Sequence, residues 1–328
     1  MITGATGLLG GNLARHLWSQ GERDLRVLVR KDSKTLALDD LQVERVCGDI
    51  RDPDSLNKAL QGIEQVYHCA ASVSQWGPGR QQSYQVNVLG TVRVMEASLR
   101  AGVRRVVYVS TVDTLGLSSL ENPADENWPE HESMAKFHNP YIDTKYQAER
   151  EAEKFLKQGL DLVIVKPSYM IGEWDVKPTS GQMIVQVAKG RAPAYPGGGN
   201  NFVDVLDVCE GMSLAMAKGR SGESYILAND QGNMTYKDFF SLVAGIAGVK
   251  PPRFQIPYSA AMLGGYVFDI LGRLFKLEPD VNSITAAMGY APHYFTSRKA
   301  VRELGMPQSG IEGAVKRALE WFTRHGYL

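Results

Sequence analysis

The chain has 328 residues, 44% apolar and 22% charged, the make-up of a water-soluble globular protein with room for a nucleotide-binding core and a second, smaller lobe. Its 36 acidic and 36 basic side chains cancel, which argues against nucleic acid or an anionic membrane as the main partner. Cys47, Cys69 and Cys209 lack CxxC or metal-ligand spacing and the histidines form no HExxH pattern, so buried thiols, a reducing cytoplasmic setting and no metal are expected.

The first segment, TGATGLLG from Thr3 to Gly10, puts Gly4, Gly7 and Gly10 where a strand turns into a helix. Glycines there allow a tight turn, bring backbone amides up to a pyrophosphate and let the helix pack close to the sheet. Only Met1 and Ile2 precede it, against about five residues in an ordinary strand. The first strand is therefore expected to be clipped, through a late start or a few omitted residues, at a cost to the centre of the sheet. No leader segment is expected ahead of the fold.

Further strands are predicted at 25–29, 43–49, 65–71, 105–111 and 162–168, all short and rich in β-branched residues. Helices are predicted at 11–20, 54–61, 83–101 and 140–158. This alternation predicts an α/β fold over residues 1–167, a doubly wound parallel sheet of the Rossmann type. After Ser168 proline and glycine cluster, and 168–200 with 229–328 read as a smaller, mostly helical substrate lobe. Strands at 201–208 and 223–227 interleave with it, the second returning to the main sheet. The apolar run from Tyr258 to Phe275 carries Asp269 and Arg273 and falls short of the roughly 20 apolar residues of a membrane span. It reads as a lobe helix, with a lipophilic pocket wall or a membrane-surface contact as the alternative.

The dinucleotide site can be followed along the strand ends. Besides the three glycines it takes the backbone of Thr6, Leu8 and Leu9. After the second strand come Arg30 and Lys31, where an acid would bind the NAD ribose and a base the 2′-phosphate of NADP, so NADP(H) is favoured over NAD(H). The alternative leaves Arg30 as a solvated strand end and gives the ribose to Asp32. Asp49 is placed to accept from the adenine amino group, or to cap the next helix, with Ile50 against the ring. Ala70, Ala71 and Ser72 are small enough for the cofactor to lie on the chain, and Asn87 would fix a loop or water beside them.

PYIDTK places Tyr141 and Lys145 one helical turn apart on one face. A phenol titrates at about 10, and a neighbouring ammonium would favour its ionised form, giving an acid/base usable near neutrality. Thr111 ends a strand whose carboxyl end faces the expected crevice, its hydroxyl placed to donate to a substrate carbonyl. Asp113 is either a substrate contact or a loop cap. Trp76, Met134, Phe137, Trp174, Met183 and Tyr195 are candidates for an apolar substrate wall, and His138 for the pocket mouth. His68 reads as a hydrogen-bonded core residue.

Together TGATGLLG, VYHCAA, YVSTVDTLG, NPYIDTKYQAE, VKPSYMIG and the late FTSRKAVRELG resemble, in order, the extended short-chain dehydrogenases/reductases of the epimerase/dehydratase superfamily, most closely their dihydroflavonol-reductase-like branch. The resemblance implies Tyr141 as acid/base, Lys145 as its electrostatic partner, Thr111 at the usual Ser/Thr position, and Pro167 with Ser168 beside the nicotinamide amide. It also implies a possible homodimer through the helices from Ser83 and Tyr141. Three departures stand out. Lys166 replaces a more usual Arg; Asn200 and Asn201 stand where nucleotide-sugar members carry an Arg; Val112 and Asp113 stand where sugar dehydratases carry Asp-Glu. The expected activity is reduction of a ketone or aldehyde of a small, fairly apolar substrate by hydride from NADPH. The alternatives are an NAD-dependent nucleoside-diphosphate-sugar epimerase/dehydratase and a non-catalytic NADP-sensing protein.

Overall fold

The computed structural model describes residues 1–129 and 132–328. Seven parallel strands form its main sheet: β1 (Ile2–Thr3), β2 (Arg26–Val29), β3 (Glu44–Cys47), β4 (Gln65–His68), β5 (Arg105–Val109), β6 (Leu162–Pro167) and β7 (Ser224–Leu227). Their order is β7-β6-β5-β4-β1-β2-β3, so the chain reverses direction across the sheet between β1 and β4. Ligand crevices form at such reversals in doubly wound sheets.

Helices α1 (Leu8–Ser19), α2 (Pro53–Ala59), α3 (Gly90–Arg100), α4 (Pro140–Glu153) and α5 (Val205–Lys218) cover the sheet. Leu13 and Leu17 of α1 pack with Val208 and Met212 of α5 on one face, while Leu56, Val94 and Ala148 of α2, α3 and α4 fill the other. Coverage on both faces explains why β6 is buried at every residue and reads as an apolar run.

Three local expectations need correction. The stretch predicted as strand 201–208 is a strand only over Gly199–Asp204; Asp204 then caps α5, its carboxylate accepting from the Leu206 amide at 3.0 Å. That strand joins a small lobe sheet with Tyr169–Ile171, Asn233–Thr235 and Pro292–His293. Cys47 is exposed, because β3 is the outer strand of the main sheet, and Cys209 lies on a helix; the three thiols are free. The predicted 83–101 helix begins at Arg80 and runs through a π-helical turn at Tyr84–Leu89 before α3.

β1 is two residues long at the middle of the sheet and pairs with both neighbours, Ile2 opposite Val27 and Tyr67. The Met1 ammonium donates to the Gln65 carbonyl at 2.6 Å, and burial lowers its pKa to about 5.

The lobe has its own core, in which Phe202 stacks on Phe239 with centroids 3.8 Å apart. Asn201, fully buried, fastens lobe to sheet. Its Oδ1 accepts from Ser168 Oγ at 2.7 Å and the Asn229 amide at 3.1 Å, and its Nδ2 donates to the Asn229 carbonyl at 2.7 Å and Asn233 Oδ1 at 2.9 Å. Truncating it strands several buried polar groups at once. Asn201→Ala should lower the unfolding free energy by about 3 kcal/mol in urea titration; a loss below about 1 kcal/mol would contradict this account.

Candidate active site

Gly4 takes φ 72°, and a Cβ there would stand 2.6 Å from the Ala70 amide nitrogen; a Cβ on Gly10 would stand 2.4 Å from the Gly4 carbonyl oxygen. These two glycines are required by the chain's own backbone. Gly7 differs, since a Cβ there would meet nothing closer than 3.5 Å and the residue is exposed. Its bare backbone leaves space outside the protein, at a helix start that no side chain caps and whose first turn holds no acid. The open amides of Leu8 and Leu9 and the helix dipole suit a pyrophosphate there. The Leu9 side chain itself is in the core, and Thr6 is half-buried in the loop.

Around this loop the expected residues divide. Arg30 is exposed at the end of β2, and the side chains of Arg30 and Lys31 have no hydrogen-bond or ion-pair partner among the described residues. Asp49 is held by Arg51, whose Nε and Nη2 lie 3.0 and 2.7 Å from its oxygens; this pairing keeps its carboxyl below the usual range. The helix cap that Asp49 was considered for falls to Asp52. Ile50 is buried against the bare backbone of Gly90. Ala70 lies against Gly4, and Ala71 is exposed beside it. Asn87, within the π-helical turn, accepts from the Ser72 amide at 2.7 Å and donates to the Ser72 carbonyl and to Thr144 Oγ1, both at 2.9 Å. It thereby pins the loop after β4 to α4; π-helical turns recur at functional sites. Pro167 is buried at the end of β6, and the Ser168 hydroxyl is committed to Asn201.

Asn139 and Pro140 start α4, the Asn139 carboxamide oxygen accepting from the Tyr141 amide at 3.0 Å. Tyr141 is half-buried, and Thr111 is its side-chain hydrogen-bonding neighbour. The Thr111 hydroxyl donates onward to Asp113 Oδ2 at 3.1 Å. Thr111 is thus turned toward Asp113 and Tyr141, where it was expected to donate to a substrate. Burial and the Asp113 carboxylate push the phenol well above its ordinary pKa, with the Thr111 bond acting weakly the other way.

Lys145 is buried and does not act on that phenol in this structure. Its Nζ donates to Tyr108 Oη at 2.9 Å and to the Val109 carbonyl at 2.6 Å, leaving a third N–H uncommitted. Burial lowers its pKa to about 7, against the opposing pull of Glu149. Behind Tyr108 stands His68, stacked at 5.6 Å; its Nε2 lies 3.0 Å from Thr91 Oγ1 and its Nδ1 2.7 Å from Thr3 Oγ1, and burial lowers its pKa to about 3. It is a neutral core histidine.

Lys166 finds its role here. Its Nζ lies 2.5 Å from Glu149 Oε1 and 2.9 Å from Thr114 Oγ1, while Ser110 Oγ donates to Glu149 Oε2 at 2.5 Å. Glu149 follows Lys145 by one turn of α4, so this pair braces the helix against β5 and β6.

His293 went unnoticed in the sequence. It is buried on the lobe strand opposite Asn200, its Nε2 has no partner, and the Asp113 carboxylate opposes the lowering that burial imposes on it. The field of Asp113 also reaches Tyr169 and Tyr236. The signal available was a histidine within HYF immediately before the FTS motif.

Of the expected apolar wall only Phe137, with His138 expected at the pocket mouth, lines an open groove of about 670 Å³, together with Tyr258, Met262, Tyr266 and Tyr290. Trp174, Met183 and Tyr195 pack on the lobe core instead, Trp174 under the Arg15 guanidinium at 3.7 Å. Met134 is fully buried, and Trp76 packs against Gly272. No group of three or more potential metal ligands occurs among the described residues.

A glycine turn under an open helix N-terminus, with a tyrosine and a buried lysine one turn apart at the carboxyl ends of the strands, defines an NAD(P)-dependent oxidoreductase of the extended short-chain dehydrogenase/reductase type. Residues 1–228 match the NAD dependent epimerase/dehydratase family, and the chain belongs to it. Over 332 residues it is 36% identical to a Synechocystis sp. protein provisionally named dihydroflavonol 4-reductase, covering all of this chain and 95% of that one. It is 34% identical to sterol demethylase protein B of Methylococcus capsulatus over 333 residues, 100% of this chain and 99% of the other. The crystal structure of gox2253, 40% identical, superposes with a TM-score of 0.86 over 100% of this chain and 98% of that one.

The depressed pKa of Lys145 makes stability depend on pH. Between about 7 and 10.5 the unfolded lysine binds a proton that the folded one gives up, so stability rises with pH across that window and is level below it. Chemical denaturation of wild type and Lys145→Met from pH 7 to 10 should show wild type gaining on the variant, by at most about 1.4 kcal/mol per pH unit. A constant difference would mean that the buried amine titrates normally.

Proposed function

We propose that this chain is an NADP(H)-dependent reductase of a ketone or aldehyde on a small, fairly apolar substrate, with Tyr141 as the acid. The observation that carries the reading is Tyr141 beside Thr111 and Asp113, the last two hydrogen-bonded to each other, with the buried Lys145 one turn along the same helix. The dinucleotide, when bound, supplies the hydride. Everything else falls to the chain's own groups.

A phenol raised by burial and by Asp113 keeps its proton at neutral pH, which is the form needed to protonate an oxygen that gains charge. The Thr111 hydroxyl, bonded to Asp113, lies beside the phenol, where it favours the ionised form and so opposes the rise that burial and Asp113 impose. The free N–H of Lys145 is available to a ribose hydroxyl, and its charge favours the phenolate once the proton has left. The leading amides of α1 hold the pyrophosphate, and the unpaired Arg30 guanidinium matches a 2′-phosphate. The apolar lining contributed by Phe137, Met262 and Tyr290 favours a substrate with little charge. The neutral, structurally committed Asn201 favours it too, since it supplies no clamp for a sugar diphosphate.

Against a panel of small apolar ketones and aldehydes, the protein should consume NADPH stoichiometrically, and Tyr141→Phe should lower turnover about a thousandfold or more while leaving cofactor affinity within about threefold. Turnover of a nucleotide sugar with no net change in NADPH absorbance would instead establish the epimerase reading. Arg30→Asp should weaken NADPH binding at least about tenfold and leave NADH binding nearly unchanged in fluorescence titration; equal effects on both cofactors would remove the NADP assignment.

A further inference from the structure

The lobe strand Pro292–His293 carries an imidazole whose chemistry the fold leaves unused. His293 is 2% exposed, and its Nε2 is buried with no hydrogen-bond partner. A polar atom kept dry and unpaired is costly, and in a native fold it calls for an explanation. The buried unpaired atoms of Asp161 and Arg317 have one, since those side chains are ion-paired through their other atoms with Arg105 and Asp204. Two attachments fix where the imidazole stands. His293 pairs with Asn200 across the lobe sheet, and Ser118 clips the next residue, its Oγ donating to the Tyr294 carbonyl at 2.5 Å and accepting from the Tyr294 amide at 3.1 Å. Ser118 belongs to the segment that leaves β5 through Thr111 and Asp113, so His293 is tied both to that segment and to the strand of Asn200.

Asp113 is the common electrostatic neighbour of His293 and Tyr141. Asp113, Tyr141 and Asn200 are half-buried and reach solvent, whereas His293 is shut away from it. The free functions of the acid and the imidazole call for complementary partners. The Asp113 carboxylate can only accept, and while Oδ2 takes the Thr111 hydroxyl at 3.1 Å, it has lone pairs for a further donor. An imidazole nitrogen in its N–H form needs an acceptor. One hydroxyl meets both needs, donating to the carboxylate and accepting from Nε2. An alkyl group would leave both unpaired, and an anionic group would be repelled by Asp113. Position limits the hydroxyl further. Thr111 lies beside the Tyr141 phenol and within 3.1 Å of Asp113, so a hydroxyl held by Asp113 falls one or two carbons from a carbonyl that the phenol protonates.

We propose that His293 Nε2 and Asp113 together receive a hydroxyl on the first or second carbon from the reacting carbonyl, which makes His293 a specificity residue for hydroxylated ketones and aldehydes. The inference rests on the reduction proposed above and adds the polar group that the substrate carries. Ala291 and Pro292, just ahead of the histidine, line the apolar groove, so the rest of such a substrate has an apolar surface close by.

Acetophenone, 2-hydroxyacetophenone and 3-hydroxypropiophenone are compared on the full chain, by calorimetric titration with NADP+ present and by consumption of NADPH. At least one hydroxylated ketone should bind about tenfold or more tighter than acetophenone. His293→Phe should bring that ratio to within about threefold of one, and His293→Gln, whose amide nitrogen reaches about as far as Nε2, should restore most of it. A melting temperature near that of wild type and retained NADP+ binding show that each variant is folded. The wild-type ratio decides even where a variant does not fold: equal affinity for all three ketones, or none for any, overturns the inference. So does a preference that survives His293→Phe, or one lost equally in the Gln and Phe variants, since either would leave His293 a packing residue. Binding preference without NADPH consumption would uphold the hydroxyl site and overturn the reductase reading; consumption without preference would do the reverse.

Discussion

The buried ammonium of Lys145 is the constraint on which the rest of the site depends. An amine held away from water is tolerated only if its surroundings hydrogen-bond it and are themselves fixed. Here the Tyr108 hydroxyl and Val109 carbonyl accept from it, and both belong to β5, so α4 cannot slide along the sheet without breaking those bonds. Two further layers hold the acceptors. His68 stacks on the Tyr108 ring and links Thr91 to Thr3, tying the α3 side of the sheet to β1. Glu149 and Lys166 link the next turn of α4 to β6 through a pair almost fully removed from solvent. A buried pair of this kind gains little net stability over an apolar pair of the same shape, but loss of one partner is costly. Its effect is on register: the strand ends, the Tyr141 helix and the glycine loop are held in one relation.

Tyr141 and Lys145 do not form an isolated couple. The ammonium is held by Tyr108, while burial and the carboxylate of Asp113 raise the pKa of the phenol. The two carboxylates act in opposite places. Asp113, together with burial, keeps the phenol protonated, whereas Glu149, one turn along α4, supports the lysine's charge. Groups with pKa values driven in different directions within one crevice fit an acid that must hold a proton until charge develops beside it.

Much of the core was legible in the sequence because each of its features rests on a local rule. The β-branched runs became β2 to β6, and the glycine segment became a strand-to-helix turn, since backbone crowding leaves no choice at Gly4 and Gly10. Helical spacing placed Tyr141 and Lys145 on one face, and only the glycine loop ahead of them gave that pair meaning. What escaped was set by distant contacts. The partners of Lys145 and Lys166 come from other strands, and the hydroxyl of Thr111 turned to Asp113 for reasons of loop geometry. Residues 205–208 read as strand from their apolar pattern, yet Asp204 caps a helix there, because short apolar runs do not distinguish a buried strand from a buried helix. Trp174 and Met183 illustrate the same limit in the lobe. Aromatic and Met residues near a crevice carry no sign of which side of the chain they pack on, and these joined the lobe core.

Neutral hydrogen bonds of Asn201 join the lobe to the sheet beside ion pairs such as Lys299–Glu223 and Arg317–Asp204. The Asn201 carboxamide is fully occupied by Ser168, Asn229 and Asn233. An arginine in that place would have to bury a guanidinium among groups that already satisfy one another, and the bond that fixes Ser168 at the end of β6 would be lost. The carboxamide joins lobe to sheet through uncharged bonds. The open groove beside Phe137 and Tyr290 is built from residues outside the core sequence motifs.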